Sequence, residues 1–138
     1  MDREILYRAK PISDEHGDWA EGIPIKTHIG TFIVYEENPH YCTQYGYMEI
    51  DDLCKVDEET LCQYTGLTDK NGEKIWENDI IKAGGNLAVH WNEKFASWCL
   101  SKEGWLYNHF FGEAVIPEDC EVIGNIFDNP ELLKEGAS

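Results

Sequence analysis

Residues 61–91 read LCQYTGLTDKNGEKIWENDIIKAGGNLAVHW, and the punctuation inside them decides the fold class. Two tight reversals are written there, Asp69-Lys70-Asn71-Gly72 and Gly84-Gly85-Asn86. Asp and Asn bond turn N–H groups with their own side chains, and Gly takes a positive φ without steric penalty. The runs around these turns are rich in branched and aromatic residues, which fit a pleated, half-buried surface. The first turn is expected to fold the strand over 61–65 back as a hairpin, with Leu67 and Ile75 near its tight end. The second pairs 79–83 with 87–91 and puts Leu87, Val89 and Trp91 on one face, Ala88, His90 and Asn92 on the other.

Working outward, the same grammar continues. Residues 97–101 form a return strand carrying Trp98 and Leu100 inward, 105–111 fit either a strand or one helical turn, and 120–127 form a further strand. Asp128-Asn129-Pro130-Glu131 then reads as a helix start, since Asn or Asp caps, Pro suits the first turn and Glu favours the positive end of the dipole. The helix over 130–134 would be short, followed by a loose tail over 135–138. Towards the N-terminus, Ile5, Tyr7 and Ala9 alternate with Leu6, Arg8 and Lys10 as an opening strand with one side inward. Residues 19–21, 24–28 and 31–35 read as short strands divided by Gly22 and Gly30. Residues 36–47 lack a period and read as a loop or insertion, and Asp57 begins a helical turn. The expectation is one mainly β domain over 1–138: a small barrel-like or rolled antiparallel sheet with a short C-terminal helix.

The 138 residues carry 27 Asp plus Glu against 11 Lys plus Arg, a formal charge of −16. Affinity for nucleic acid comes largely from cations displacing counterions, so broad nucleic-acid binding is disfavoured. Acids outnumber bases in both halves and are densest between Glu49 and Glu59, which reads as a solvated surface, as a docking face for a basic partner or as a mimic of nucleic-acid charge. No run of about 18 apolar residues exists, and Asp2, Arg3, Glu4 and Arg8 interrupt the first twenty positions. Neither a membrane span nor a secretory signal is expected. Cys42, Cys54, Cys62, Cys99 and Cys120 are odd in number and contain no C-x-x-C pair, so reduced thiols in a cytoplasm are expected. Zinc would need clustered ligands at short spacing, and His40-Tyr41-Cys42 has nothing to complete it; no metal or other cofactor is expected.

The run QYTGLTDKNGEKIWENDI at 63–80 resembles the signature of the YopX family, small proteins found mostly in phages and prophages. The likeness extends to EILYRAK at 4–10, GDWAEG at 17–22, VDEETL at 56–61 and EVIGNIFDNPELL at 121–133, about half of the chain. Asn78 stands where many relatives have Gly, and the 36–47 region is private to this chain. The resemblance implies a β-rich protein of a mobile element, located in the cytoplasm of a bacterial host cell and able to form oligomers. It implies no reaction, because no activity or catalytic residue comes with it.

The motif residues have a structural reading: Gly66 and Gly72 as backbone positions, Asp69 and Asn71 as turn formers, and Asp79 as an acceptor for turn N–H groups. Their functional reading is a polar and aromatic patch of Tyr64, Thr65, Asp69, Trp76, Glu77 and Asp79 along one hairpin, available to a partner. No nucleophile elbow, P-loop, dinucleotide fingerprint or zinc-protease motif is present, and no catalytic residue is assigned. His90 is the best isolated candidate for acid–base work. The expected function is a non-enzymatic protein-interaction or self-assembling module whose partner is a host or phage protein or a second copy. A nucleic-acid-binding small β-barrel, with a basic patch begun by Arg3, Arg8 and Lys10, is the alternative, and a metal-assisted hydrolase using Glu77 and Asp79 the third.

Overall fold

The computed structural model describes residues 5–12, 19–34, 40–42, 47–49, 53–101, 109–111 and 116–134. The chain groups into two compact units, Met1–Gln63 and Tyr64–Ser138. Both are built from antiparallel strands, so the mainly β class holds.

The first unit contains β1 (Tyr7–Ala9), β2 (Ala20–Thr27), β3 (Gly30–Val34), β4 (His40–Cys42), β5 (Tyr47–Glu49) and β6 (Leu53–Val56). Strands run in the order β6-β3-β2-β1, and β1 pairs on its far side with Cys62 and Gln63 at the start of β7 (Cys62–Thr68). The sheet is a curled half-barrel rather than a closed barrel. Its ends are joined by an isolated bridge between Pro11 and Val56, with Ile12 N–H donating to the Lys55 carbonyl at 3.1 Å and Asp57 N–H to that of Lys10 at 2.8 Å. Inside the curl lie Ala9, Ile33 and Val56, with Tyr7, Ala20, Cys54 and Leu61 packed around them. The helical turn expected after Asp57 is a 3₁₀ turn, Glu58–Thr60, whose first N–H groups include Glu59's donation to Asp57 Oδ1 at 3.0 Å. Thr60 Oγ1 accepts from Lys10 N–H at 2.8 Å, which fixes the chain where it leaves β1.

Two expectations change here. Residues 19–28 are not two strands divided at Gly22: β2 runs straight through it. A Cβ at Gly22 would stand 2.1 Å from the Val34 carbonyl oxygen, so the glycine marks a close approach of two backbones and not a break. Within 36–47, read as a loop, His40–Cys42 is a strand paired with Tyr47–Glu49. Three-residue strands are too short to leave a period in the sequence.

The second unit contains the rest of β7, β8 (Lys74–Trp76), β9 (Asp79–Lys82), β10 (Asn86–Asn92), β11 (Ser97–Ser101), β12 (His109–Phe110) and β13 (Glu121–Asn125). Both hairpins read from the sequence are present, β7 with β8 and β9 with β10. Gly72 and Gly84 have φ of 79° and 77°, the left-handed backbone that their turns require. Five strands run β12-β11-β10-β9-β13, and Ile75, Ile81, Leu87, Val89, Trp98, Leu100, Phe111 and Cys120 form one core. At the C-terminal end, the expected helix is a four-residue 3₁₀ turn, Pro130–Leu133. Asn129 does not cap it: its Oδ1 accepts from Asn125 N–H at 3.3 Å, so the side chain serves the preceding turn. Of 105–111, His109–Phe110 is strand and 105–108 lie outside the described residues, as does the tail.

Candidate functional site

The hairpin patch predicted from sequence is brought together, but mostly inside the second unit. Tyr64, Thr65, Asp69, Trp76 and Asp79 are buried, and Glu77 is half-buried. Thr65 Oγ1 donates to the Ile75 carbonyl at 2.7 Å and accepts from Leu67 N–H at 3.1 Å, so it ties β7 to β8. Tyr64 and Trp76 sit across the same ladder with ring centroids 5.5 Å apart and planes tilted by 48°. Asp79 is 1% exposed, and its Oδ2 accepts from Trp76 N–H at 2.8 Å, the turn role expected of it.

Asp69 does the most. Its Oδ1 accepts from Asn71 N–H and Glu73 N–H, each at 2.9 Å, and its Oδ2 from Val122 N–H at 3.0 Å. One carboxylate therefore shapes the turn and holds it to β13, 53 residues further along the chain. Burial alone would push this carboxyl up; the three N–H donors, aided by the charge of Lys70, outweigh it and hold the group below the ordinary carboxylate value.

His90 Nδ1 lies 3.3 Å from Ser101 Oγ on the half-buried face of the β10–β11 pair. Burial pushes the Cys99 thiol up, and for Cys120 burial is reinforced by the carboxylates of Asp119, Asp69 and Glu118; both disfavour a thiolate nucleophile. Among the described residues no three His, Cys, Asp or Glu side chains come together as a cation cage, and no helix is long and apolar enough to cross a membrane.

The feature that sequence reasoning missed is on the first unit. Register places Ile23, Val34 and Leu53 in one row across β2, β3 and β6, and Ile25, Phe32 and Lys55 in the next. These side chains point away from the Ile33–Val56 core, because strand neighbours alternate between faces. Ile23, Ile25 and Leu53 are 48%, 39% and 43% exposed, while Phe32 and Val34 are half-buried. The solvated face of an antiparallel sheet is ordinarily polar, so a contiguous apolar group there is informative. The signal lay in Phe32-Ile33-Val34, three consecutive apolar residues in a strand expected to alternate.

At the β1 end of this face, the Arg8 guanidinium lies 4.3 Å and the Lys10 ammonium 5.4 Å from the Trp19 ring centroid. Of the basic patch expected at Arg3, Arg8 and Lys10, the last two are gathered on an indole, and Arg3 lies outside the described residues. On the second unit, the β10–β11 hairpin exposes Trp91 and Phe95, with Trp91 edge-on to Trp98 at 5.1 Å.

The YopX protein family profile matches residues 7–134, nearly the whole chain. The chain belongs to the YopX family. Among solved structures, the crystal structure of protein EF1440 from Enterococcus faecalis is similar, with a TM-score of 0.63 and 21% identity over 96% of this chain and 100% of that one. At that identity the likeness shows the fold alone. No curated protein matches the chain. Asn78 has a φ of 71°, a left-handed conformation in which Gly is unstrained and Asn is tolerated better than most residues.

Proposed function

We propose that this YopX-family protein is a non-enzymatic binding module of a phage or prophage, acting in the bacterial cytoplasm and contacting another polypeptide through the outer face of β2, β3 and β6. The observation that carries this reading is the apolar group Ile23, Ile25, Phe32, Val34 and Leu53, placed in register on a face that the chain's own core does not use. Four of these five side chains are branched aliphatics, which bury well against another protein and give a nucleobase nothing to stack on, and the one ring, Phe32, is half-buried, which favours a polypeptide over a nucleic acid. The net charge of −16 points the same way. The motif hairpin takes the role of scaffold in this reading, since five of its six candidate residues are buried.

The test is affinity capture from bacterial lysate under nuclease, with wild-type protein and Leu53→Arg in parallel. A polypeptide retained stoichiometrically by the wild type and released by the variant is the expected result. Identical eluates from the two proteins, or nucleic acid in place of polypeptide before nuclease treatment, would remove the reading.

A further inference from the structure

We infer that the polypeptide on this face docks as an added β-strand along the open edge of β2, paired with Pro24 and Lys26. The inference rests on the binding-face reading above and names how its partner is held.

The main chain around β1 shows which groups that edge offers. Lys10, whose N–H goes to Thr60 Oγ1 and whose carbonyl accepts from Asp57 N–H, turns its backbone away from β2, and by alternation so does Arg8, opposite Cys62 on β7. Tyr7 and Ala9 therefore face β2, where they pair with Gly22 and Ala20. β1 reaches no further than Gly22, while β2 runs on to Thr27 with β3 alone beside it among the described residues. Alternation along β2 then turns the backbone of Ile23, Ile25 and Thr27 to β3, and that of Pro24 and Lys26 to the open side. Three main-chain groups stand there in a row: the Pro24 carbonyl, the Lys26 N–H and the Lys26 carbonyl. Among the described residues none of the three has a partner. The edge is held in shape to its end, where Thr27 Oγ1 donates to the Gly30 carbonyl at 2.8 Å and accepts from Ile29 N–H at 3.2 Å.

Alternating partial charges at strand pitch are complemented by another extended backbone, which sets the chemistry of the occupant. Laid antiparallel, as both of β2's own neighbours are, such a segment gives one N–H to the Pro24 carbonyl and exchanges a pair of bonds with Lys26. Its residues opposite Ile23 and Ile25 lie on the outer face, where those side chains are 48% and 39% exposed, so branched apolar residues at alternate positions fit. Proline and lysine are what natural edges carry against indiscriminate pairing. Here Pro24 withholds one donor, so the edge takes a strand that supplies an N–H at that place and asks for none. A second copy of β2 is a poor occupant: paired with itself about Ile25, it sets a proline against each Lys26 and makes two bonds in place of three.

NMR of the full chain tests the edge directly. In the free protein the Lys26 amide should exchange with solvent faster than those of Ile23 and Ile25, which bond to β3. A capped, uncharged peptide of alternating valine and threonine is the probe, and its N-methylated copy, which donates nothing, is the control. The first should slow exchange at Lys26 roughly tenfold and the second should leave it unchanged. Lysate capture tests the natural partner. Lys26→Pro removes the open-side donor but no bond to β3 and no apolar side chain, and should lower retention on the order of tenfold. Lys26→Ala, which loses only the exposed ion pair with Glu58, should match the wild type. Pro24→Val adds a donor and should raise retention, a gain that misfolding cannot produce. Equal exchange at Lys26 and Ile25 in the free protein, or a probe that leaves Lys26 unprotected, would overturn the inference. If Leu53→Arg releases the captured polypeptide while Lys26→Pro and Pro24→Val change nothing, strand addition is wrong and the binding face stands; if none of the three changes retention, the face itself is wrong.

Discussion

Asp69 shows how much one side chain of the family motif carries. Its three N–H donors come from the turn it closes and from a strand 53 residues away. Removing the carboxylate leaves buried donors without acceptors, and Asp69→Ala is expected to lose about 3 kcal/mol of stability at pH 7, measured by urea denaturation. The pH dependence has a definite sign. The folded chain holds this carboxyl below its unfolded value of about 4, so its contribution is complete above that value and is lost as pH falls through the folded one. The stability gap between wild type and variant should therefore be constant from pH 7 to about 5 and narrow in more acidic solution. Ala96 presents the opposite case. It has a φ of 48° in the turn between β10 and β11, where an L side chain is strained. Ala96→Gly should stabilise the protein by up to about 1 kcal/mol, seen as a raised denaturation midpoint.

Among the elements, the turns were legible in the sequence because their chemistry is local. Asp-Lys-Asn-Gly and Gly-Gly-Asn need only their own backbone to act, and both hairpins formed where they were read. Strand β2 was misread because Gly22 and Pro24 are breakers in most contexts. Here β1 pairs with β2 only as far as Gly22, so Pro24 lies where β2 has β3 on one side alone, and its missing N–H removes no ladder bond on the open side. Gly22 is required by the approach of Val34, and Gly22→Ala should destabilise by about 2–3 kcal/mol, the range for forcing a methyl into a packed site. The same change at Gly66, where no atom lies within 4 Å of a built Cβ, meets only the strain of its φ of 87°. Comparing the two by thermal unfolding separates steric contact from backbone conformation. The outer face stayed hidden for a related reason: exposure of Ile23, Ile25 and Leu53 follows from register and from what covers a sheet, neither of which is written in any single strand. Trp91 makes the same point, since its parity with Leu87 and Val89 was right and yet it is 41% exposed near the end of β10.

For the whole molecule, the two units differ in how much apolar material each encloses. Among the described residues, the first unit's cluster has three buried members, Ala9, Ile33 and Val56, one of them an alanine. The second unit's has eight, including Trp98, Phe111, Leu100 and two isoleucines, and Asp69 adds a polar tie from turn to sheet. Amide exchange in the native state follows the free energy of local opening, which rises with buried apolar contact. Main-chain amides of β9, β10 and β11, such as those of Ile81, Val89 and Leu100, should exchange more slowly than those of Ile25 and Phe32 on β2 and β3. Hydrogen–deuterium exchange by mass spectrometry on the full chain, at a concentration where it is monomeric, makes the comparison. Equal protection across both units would mean that opening is global and that core size does not set local stability.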